Sequence, residues 1–253
     1  TYLPFAVLGS GSNGRFLFQD FSLLYAPSAG ALVHLRAGDG RNDAPTAAAV
    51  FAPFPDELPA TRLEAESLRA TLPRADVYLG AQASEVAVRR ALGEPGLVHV
   101  ATHGVMNPAN PLFSRITLAS GRGDRPSDDG RREVHELLEL SIRSPLVFLS
   151  GCETGLGAAW STTFVGGEDY ATLAQAFLLA GARGVVATLW RVDDAGAATF
   201  AEWFYKSLRS MPAEEALAAA QREMLSDSRY AAPYYWAAYT LSGVGDRSLH
   251  SQS

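Results

Sequence analysis

Two side chains in this 253-residue chain have the types and the placing for covalent hydrolysis of a carbonyl. Cys152, the only cysteine, follows the apolar run in PLVFLSGC, and His103 follows a second such run in LVHVATH. A thiol attacks a carbonyl carbon as thiolate, and an imidazole beside it can take the thiol proton and later return one to the leaving amine. Gly104 and Gly151 flank the pair and let backbone approach without a Cβ in the way. The amides of Gly104 and Cys152 are the candidates to hold the oxyanion. An acidic pair, Asp193 and Asp194, follows a third apolar run, Gly184–Leu189, and Trp190. It suits either the N-cap of a helix starting near Ala195 or a carboxylate floor for a substrate side chain. Taken singly, a lone cysteine is more often a small buried hydrophobe and a lone histidine a hydrogen-bonded structural group. What favours catalysis is the pair in matched positions.

The matching depends on the elements that carry these residues. From about Ala48 onward, short apolar runs alternate with helical patterns, which predicts a mostly parallel sheet covered by helices, an α/β fold. Strands are expected at Ala49–Phe54, Asp76–Leu79, Leu97–Thr102, Pro145–Ser150, Gly184–Leu189 and Tyr235–Leu241. Thr61 with Glu64 reads as a capping box opening a helix to about Leu72, and Ser84 as the N-cap of a helix to Leu92. Phe200, Phe204 and Leu208 mark one amphipathic helix, and Leu217, Ala220 and Met224 another. Ligands of open parallel sheets bind outside the carboxyl ends of the strands, so His103, Cys152 and the aspartates would all meet at one rim. Before these units, PFAVL and RFLFQDFSLLYAP read as a hairpin, and SGRGDRPSDDGR at Ser120–Arg131 reads as an exposed loop.

Several other chemistries are disfavoured. Gly9–Gly14 matches G-x-G-x-x-G, but a strand-like stretch follows instead of a helix whose N-terminus would meet a pyrophosphate, so a hairpin turn is expected. Neither a P-loop nor a G-x-S-x-G elbow occurs. The net charge of -6 opposes recruitment of nucleic acid or anionic lipid. His34, His99, His135 and His250 form no metal-ligand spacing, and a single cysteine excludes a cysteine-rich zinc site. His99 alternates to the far side of its strand from the rim. Tyr230, Tyr234, Tyr235, Trp236 and Tyr239 are expected in the core, not as a base-stacking platform. The lack of an apolar run of 18 residues and of a leader-like start points to a soluble, cytoplasmic protein. Lys206 is the only lysine, and the arginine- and alanine-rich composition fits GC-rich bacterial coding.

At these residues the sequence closely resembles the CHAT domain, a bacterial family of caspase- and separase-like cysteine peptidases. LPFAVL, YAPSAGAL, VHVATHG, PLFSRITLA, PLVFLSGCETGLG, LAQAFLLAGARGVVATLWRVDD, EEALAAAQREML and PYYWAAYTLSG carry the likeness along nearly the whole chain. The spacing agrees with it, since a caspase histidine lies about 50 residues before its cysteine. The resemblance implies a caspase-like three-layer αβα sandwich forming one domain over residues 1–253. His103 is then the catalytic base and acid, Cys152 the nucleophile, and Gly104 N–H part of the oxyanion hole. Asp194 falls where separase-type relatives hold a basic P1 side chain. No cofactor is implied. The expected partners are a protein substrate such as a gasdermin or another effector, and an upstream sensor, repeat region or activator acting in bacterial signalling or antiphage defence. Three departures stand out: Thr1 opens the chain with no initiator Met, which suggests a fragment of a longer polypeptide, Gly167-Glu168-Asp169 replaces a usual Gly-Glu-Gly, and Ala232-Pro233 replaces a common His-Pro. The alternative expectation is a non-catalytic signalling module that keeps the same fold.

Overall fold

The structure, a computed structural model, describes residues 4–10, 14–37, 47–72, 74–107, 109–121, 128–150 and 168–245. Its centre is a six-stranded sheet in the order β11-β10-β9-β5-β3-β4, built from β3 (Ala48–Ala52), β4 (Ala75–Leu79), β5 (Leu97–Ala101), β9 (Leu146–Ser150), β10 (Gly184–Thr188) and β11 (Tyr239–Gly243). All neighbours are parallel except β11, which runs antiparallel to β10. β5, β9 and β10 are buried at every position, as expected of strands covered on both faces.

Two apolar layers sandwich that sheet. On one face Val50, Phe148 and Val186 pack with Ala65 and Leu68 of α3 (Pro59–Thr71), Phe200 and Phe204 of α7 (Asp194–Leu208), and Leu217 and Met224 of α8 (Ala213–Ser226). On the other, Val98, Val100, Val147 and Val185 pack with Val88 of α4 (Glu85–Leu92), Leu137 of α5 (Val134–Leu138) and Phe177 of α6 (Glu168–Leu179). The alternation along each strand thus divides one sequence between two cores. The expected mostly parallel αβα sandwich is what forms.

A small antiparallel sheet, β6 (Gly104–Val105), β7 (Arg115–Thr117) and β8 (Arg131–Glu133), grows from the carboxyl end of β5. It is hooked to α4 by a buried pair: Arg132 Nη2 lies 3.0 Å from Glu85 Oε1, and Gly130 N–H donates to Glu85 Oε2 at 3.2 Å. Gly130 adopts φ 81, and a Cβ there would stand 2.7 Å from the Leu118 carbonyl, so only glycine makes this turn without strain.

Three local expectations are corrected. The N-terminal hairpin is only β1 (Gly9–Ser10) with β2 (Arg15–Phe16). PFAVL is instead a 3-10 turn at Phe5–Val7, and the chain enters a short helix, α1 (Leu17–Asp20), because Gln19 Oε1 accepts from Phe16 N–H and Phe18 turns into the core against Trp236. Of the glycine-rich match, Gly9 and Ser10 lie in β1, and residues 11–13 lie outside the described residues. A surface helix, α2 (Ala29–Ala37), follows. α3 starts at Pro59 and not at a Thr61–Glu64 box: proline suits the first helical position, and the Thr61 hydroxyl donates back to Leu58 O. The last strand starts at Tyr239, because Pro233 opens one helical turn, α9 (Pro233–Trp236), closed by Trp236 Nε1 donating to Ala231 O. Residues 122–127 of the expected loop and His250 lie outside the described residues.

Candidate active site

The carboxyl ends of β5 and β9 are level. Ala101 pairs with Ser150 in the parallel ladder, and Thr102 N–H donates to Ser150 O at 3.0 Å. Two residues beyond this rung the sequence reaches His103 on one strand and Cys152 on the other. Cys152 itself lies outside the described residues, as do the rest of 151–167.

His103 is half-buried, with its ring 5.9 Å from that of Phe54 in the loop after β3. Its carbonyl accepts from Thr117 N–H at 2.9 Å, while Gly104 faces Ile116 across β6 and β7. In an antiparallel ladder this makes Gly104–Ile116 a non-hydrogen-bonded pair, so the Gly104 N–H is directed away from β7. The Thr102 hydroxyl donates to Thr117 O and fastens the same corner.

One cleft gathers the described candidates. His103 and Ser150 form its strand-end wall, Asp194 and Ala197 at the start of α7 form a second, and Thr61 and Glu64 of α3 a third. The two aspartates divide the roles that sequence left open. Asp193 is the N-cap of α7, accepting from Ala195 N–H at 3.1 Å and Gly196 N–H at 3.2 Å. Asp194, one residue on, lines the cleft. Arg191 stands exposed at its edge.

Glu64 is the cleft residue that the sequence reading missed, having been assigned to a helix cap. It lies on the buried stripe of α3 with Thr61, Ala65 and Leu68, and an acid on an apolar stripe is the signal that would have flagged it. Behind it sits His99, buried on β5, with Nδ1 3.1 Å from the Tyr205 hydroxyl of α7 and its ring stacked on Phe148 at 4.9 Å. His99 Nε2 is 3.1 Å from Glu64 Oε1. Burial first, and the Glu64 charge second, hold the Tyr205 phenol well above its ordinary range, so it stays a donor. His99 points into the α3–α7 layer, off the rim, as its alternation indicated. Among the described residues no cluster of His, Cys, Asp and Glu suits a metal ion, and no helix is long and apolar enough to cross a membrane.

The fold and this rim together define a caspase-like cysteine-peptidase scaffold. The chain is similar to yeast (Saccharomyces cerevisiae) separase in its complex with securin, with a TM-score of 0.58 at 16% identity over 90% of this chain and 14% of that one. It is similar also to the Arg-specific cysteine proteinase gingipain R, with a TM-score of 0.55 at 11% identity over 87% of this chain and 51% of that one. The CHAT domain model matches residues 1–244, and the chain belongs to that family. Mouse and human tetratricopeptide repeat protein 28 are each 27% identical, over 100% and 99% of this chain respectively. The chain spans 12% of the length of those relatives.

Proposed function

We propose that this domain is a cysteine endopeptidase with Cys152 as nucleophile and His103 as base and acid. The observation that carries the reading is the level rung Ala101–Ser150, which sets the two strand ends that lead to His103 and Cys152 side by side above one cleft. In the reaction the Cys152 thiol proton passes to His103 as sulfur bonds to the peptide carbonyl carbon. The Gly104 and Cys152 amides receive the oxyanion. As it collapses, the carbon–nitrogen bond breaks and the amine leaves with the proton from His103. Water then adds to the thioester, giving its proton to His103, and release of the acid returns that proton to sulfur.

Asp194 provides the S1 carboxylate for a basic P1 side chain. Its place in the lining of the same cleft as His103 supports this, as does the likeness to an Arg-specific proteinase. Activity is switched by an upstream sensor, repeat region or activator, in keeping with relatives named for tetratricopeptide repeats. The substrate is a partner protein, with bacterial signalling or antiphage defence as the setting and a gasdermin-like effector as one form it takes.

The test is peptidase assay of the activated full polypeptide with Cys152→Ala and His103→Ala. Each should abolish cleavage while leaving circular dichroism and melting intact. Full cleavage by either variant, or failure of a thiol-directed activity probe to label Cys152 under any activating condition, would leave the non-catalytic signalling module as the better reading.

A further inference from the structure

Glu64 carries a feature that helix packing alone leaves unexplained. The residue is 2% exposed, yet it lines the same cleft as Asp194 and His103. Its Oε1 is fully buried without completing a hydrogen bond, although His99 Nε2 stands 3.1 Å away, and Nε2 is in the same condition. The two atoms are close but off the hydrogen-bonding line. A buried carboxylate oxygen without a hydrogen bond is costly, and such a group in a folded protein calls for an explanation.

The Tyr205 hydroxyl engages His99 Nδ1 at 3.1 Å, and the other ring nitrogen, Nε2, faces Glu64. A donor entering the cleft can complete the hydrogen bond that Glu64 Oε1 lacks. Asp194 supplies a second acid from a different wall, and Arg191 is the cation at the exposed edge.

We propose that Glu64 is the deep acid of the S1 cleft and selects arginine over lysine at P1. This rests on the basic-P1 peptidase reading above. A guanidinium is a planar fork with five donors and can bond two carboxylates at once, whereas an ammonium is a compact charge that one carboxylate satisfies. Two acids on separate walls, Asp194 from α7 and Glu64 from α3, match the fork. On binding, the ligand donates to Glu64 and removes the unsatisfied state.

The experiment compares kcat/KM of the activated full polypeptide on peptides differing only at P1: arginine, lysine or citrulline, the neutral isostere. Wild type should prefer arginine over lysine by about tenfold or more. Glu64→Gln should lower arginine cleavage by about tenfold while leaving lysine nearly unchanged. Asp194→Ala should lower both. If Glu64→Gln reduces arginine and lysine equally, or changes neither while Asp194→Ala abolishes both, the role given to Glu64 is wrong and the basic-P1 reading stands. If wild type cleaves the citrulline peptide as well as the arginine one, the basic-P1 reading falls, and this inference with it. Should Glu64→Gln fail to fold in a thermal melt, wild type alone decides: butylguanidine should raise its melting temperature more than pentylamine does, and equal or absent shifts overturn the proposal.

Discussion

At the scale of single residues, adjacent aspartates do unrelated work. Asp193 satisfies two amides of the first turn of α7, and Asp194 faces the cleft. Asp193→Ala should cost about 1 kcal/mol in denaturant unfolding, the usual worth of an N-cap. Asp194→Ala should leave unfolding within about 0.5 kcal/mol of wild type, since it removes a half-buried cleft group with no cap role, and should lower cleavage after basic residues. A reversal of the two outcomes would show that the assignment has been made to the wrong residue. The sequence placed both residues at the rim but left their roles open, because capping depends on backbone angles that two neighbouring carboxylates advertise equally well. The position of His103 and Gly104 at the strand-end rim was legible because both closely follow a fully buried strand.

Elements bring a second kind of dependence. The small β6–β8 sheet begins at Gly104, and its hold on α4 runs through Arg132 and Glu85, both buried. Removing Arg132 strands a buried carboxylate, so Arg132→Ala should cost about 3–5 kcal/mol, read from urea denaturation. Burial raises the Glu85 carboxyl above the ordinary carboxylate range, with Arg132 only partly offsetting it. Between its unfolded and folded pKa the native state therefore holds the extra proton, and the stability tied to Glu85 is lost as pH rises through that interval. The difference in unfolding free energy between wild type and Glu85→Gln, followed from pH 4 to 7, should show wild type losing ground as pH rises; a flat difference would contradict the shift. The helices and strands were readable from periodicity, apart from starts such as Pro59, where proline at the first helical position outranked a Thr–Glu pair as the signal.

For the molecule as a whole, the chain's first segment and its last strand close one side of the fold. Trp236 is fully buried, its ring 5.0 Å from Phe16 and 4.6 Å from Phe18, and Tyr25 bridges to Ser242 along the outer side of β11. Trp236→Ala should remove about 3–5 kcal/mol and loosen the N-terminal segment together with α9, which hydrogen exchange at Phe16–Asp20 would report. Protection there unchanged from wild type would mean that the segment is held by other contacts. By itself the sequence determined the α/β class, the six sheet strands, the two-faced helical cover and the rim to which His103 and the aspartates belong, since each follows from local periodicity and from the position of a residue after a buried run. Only the tertiary structure decided that Ala101 and Ser150 share a rung, that Asp193 caps while Asp194 lines, and that Glu64, His99 and Tyr205 meet beneath the cleft. Those are contacts between α3, β5, α7 and β9, distant in sequence, and no local pattern encodes which side chains meet when separate elements pack across a sheet.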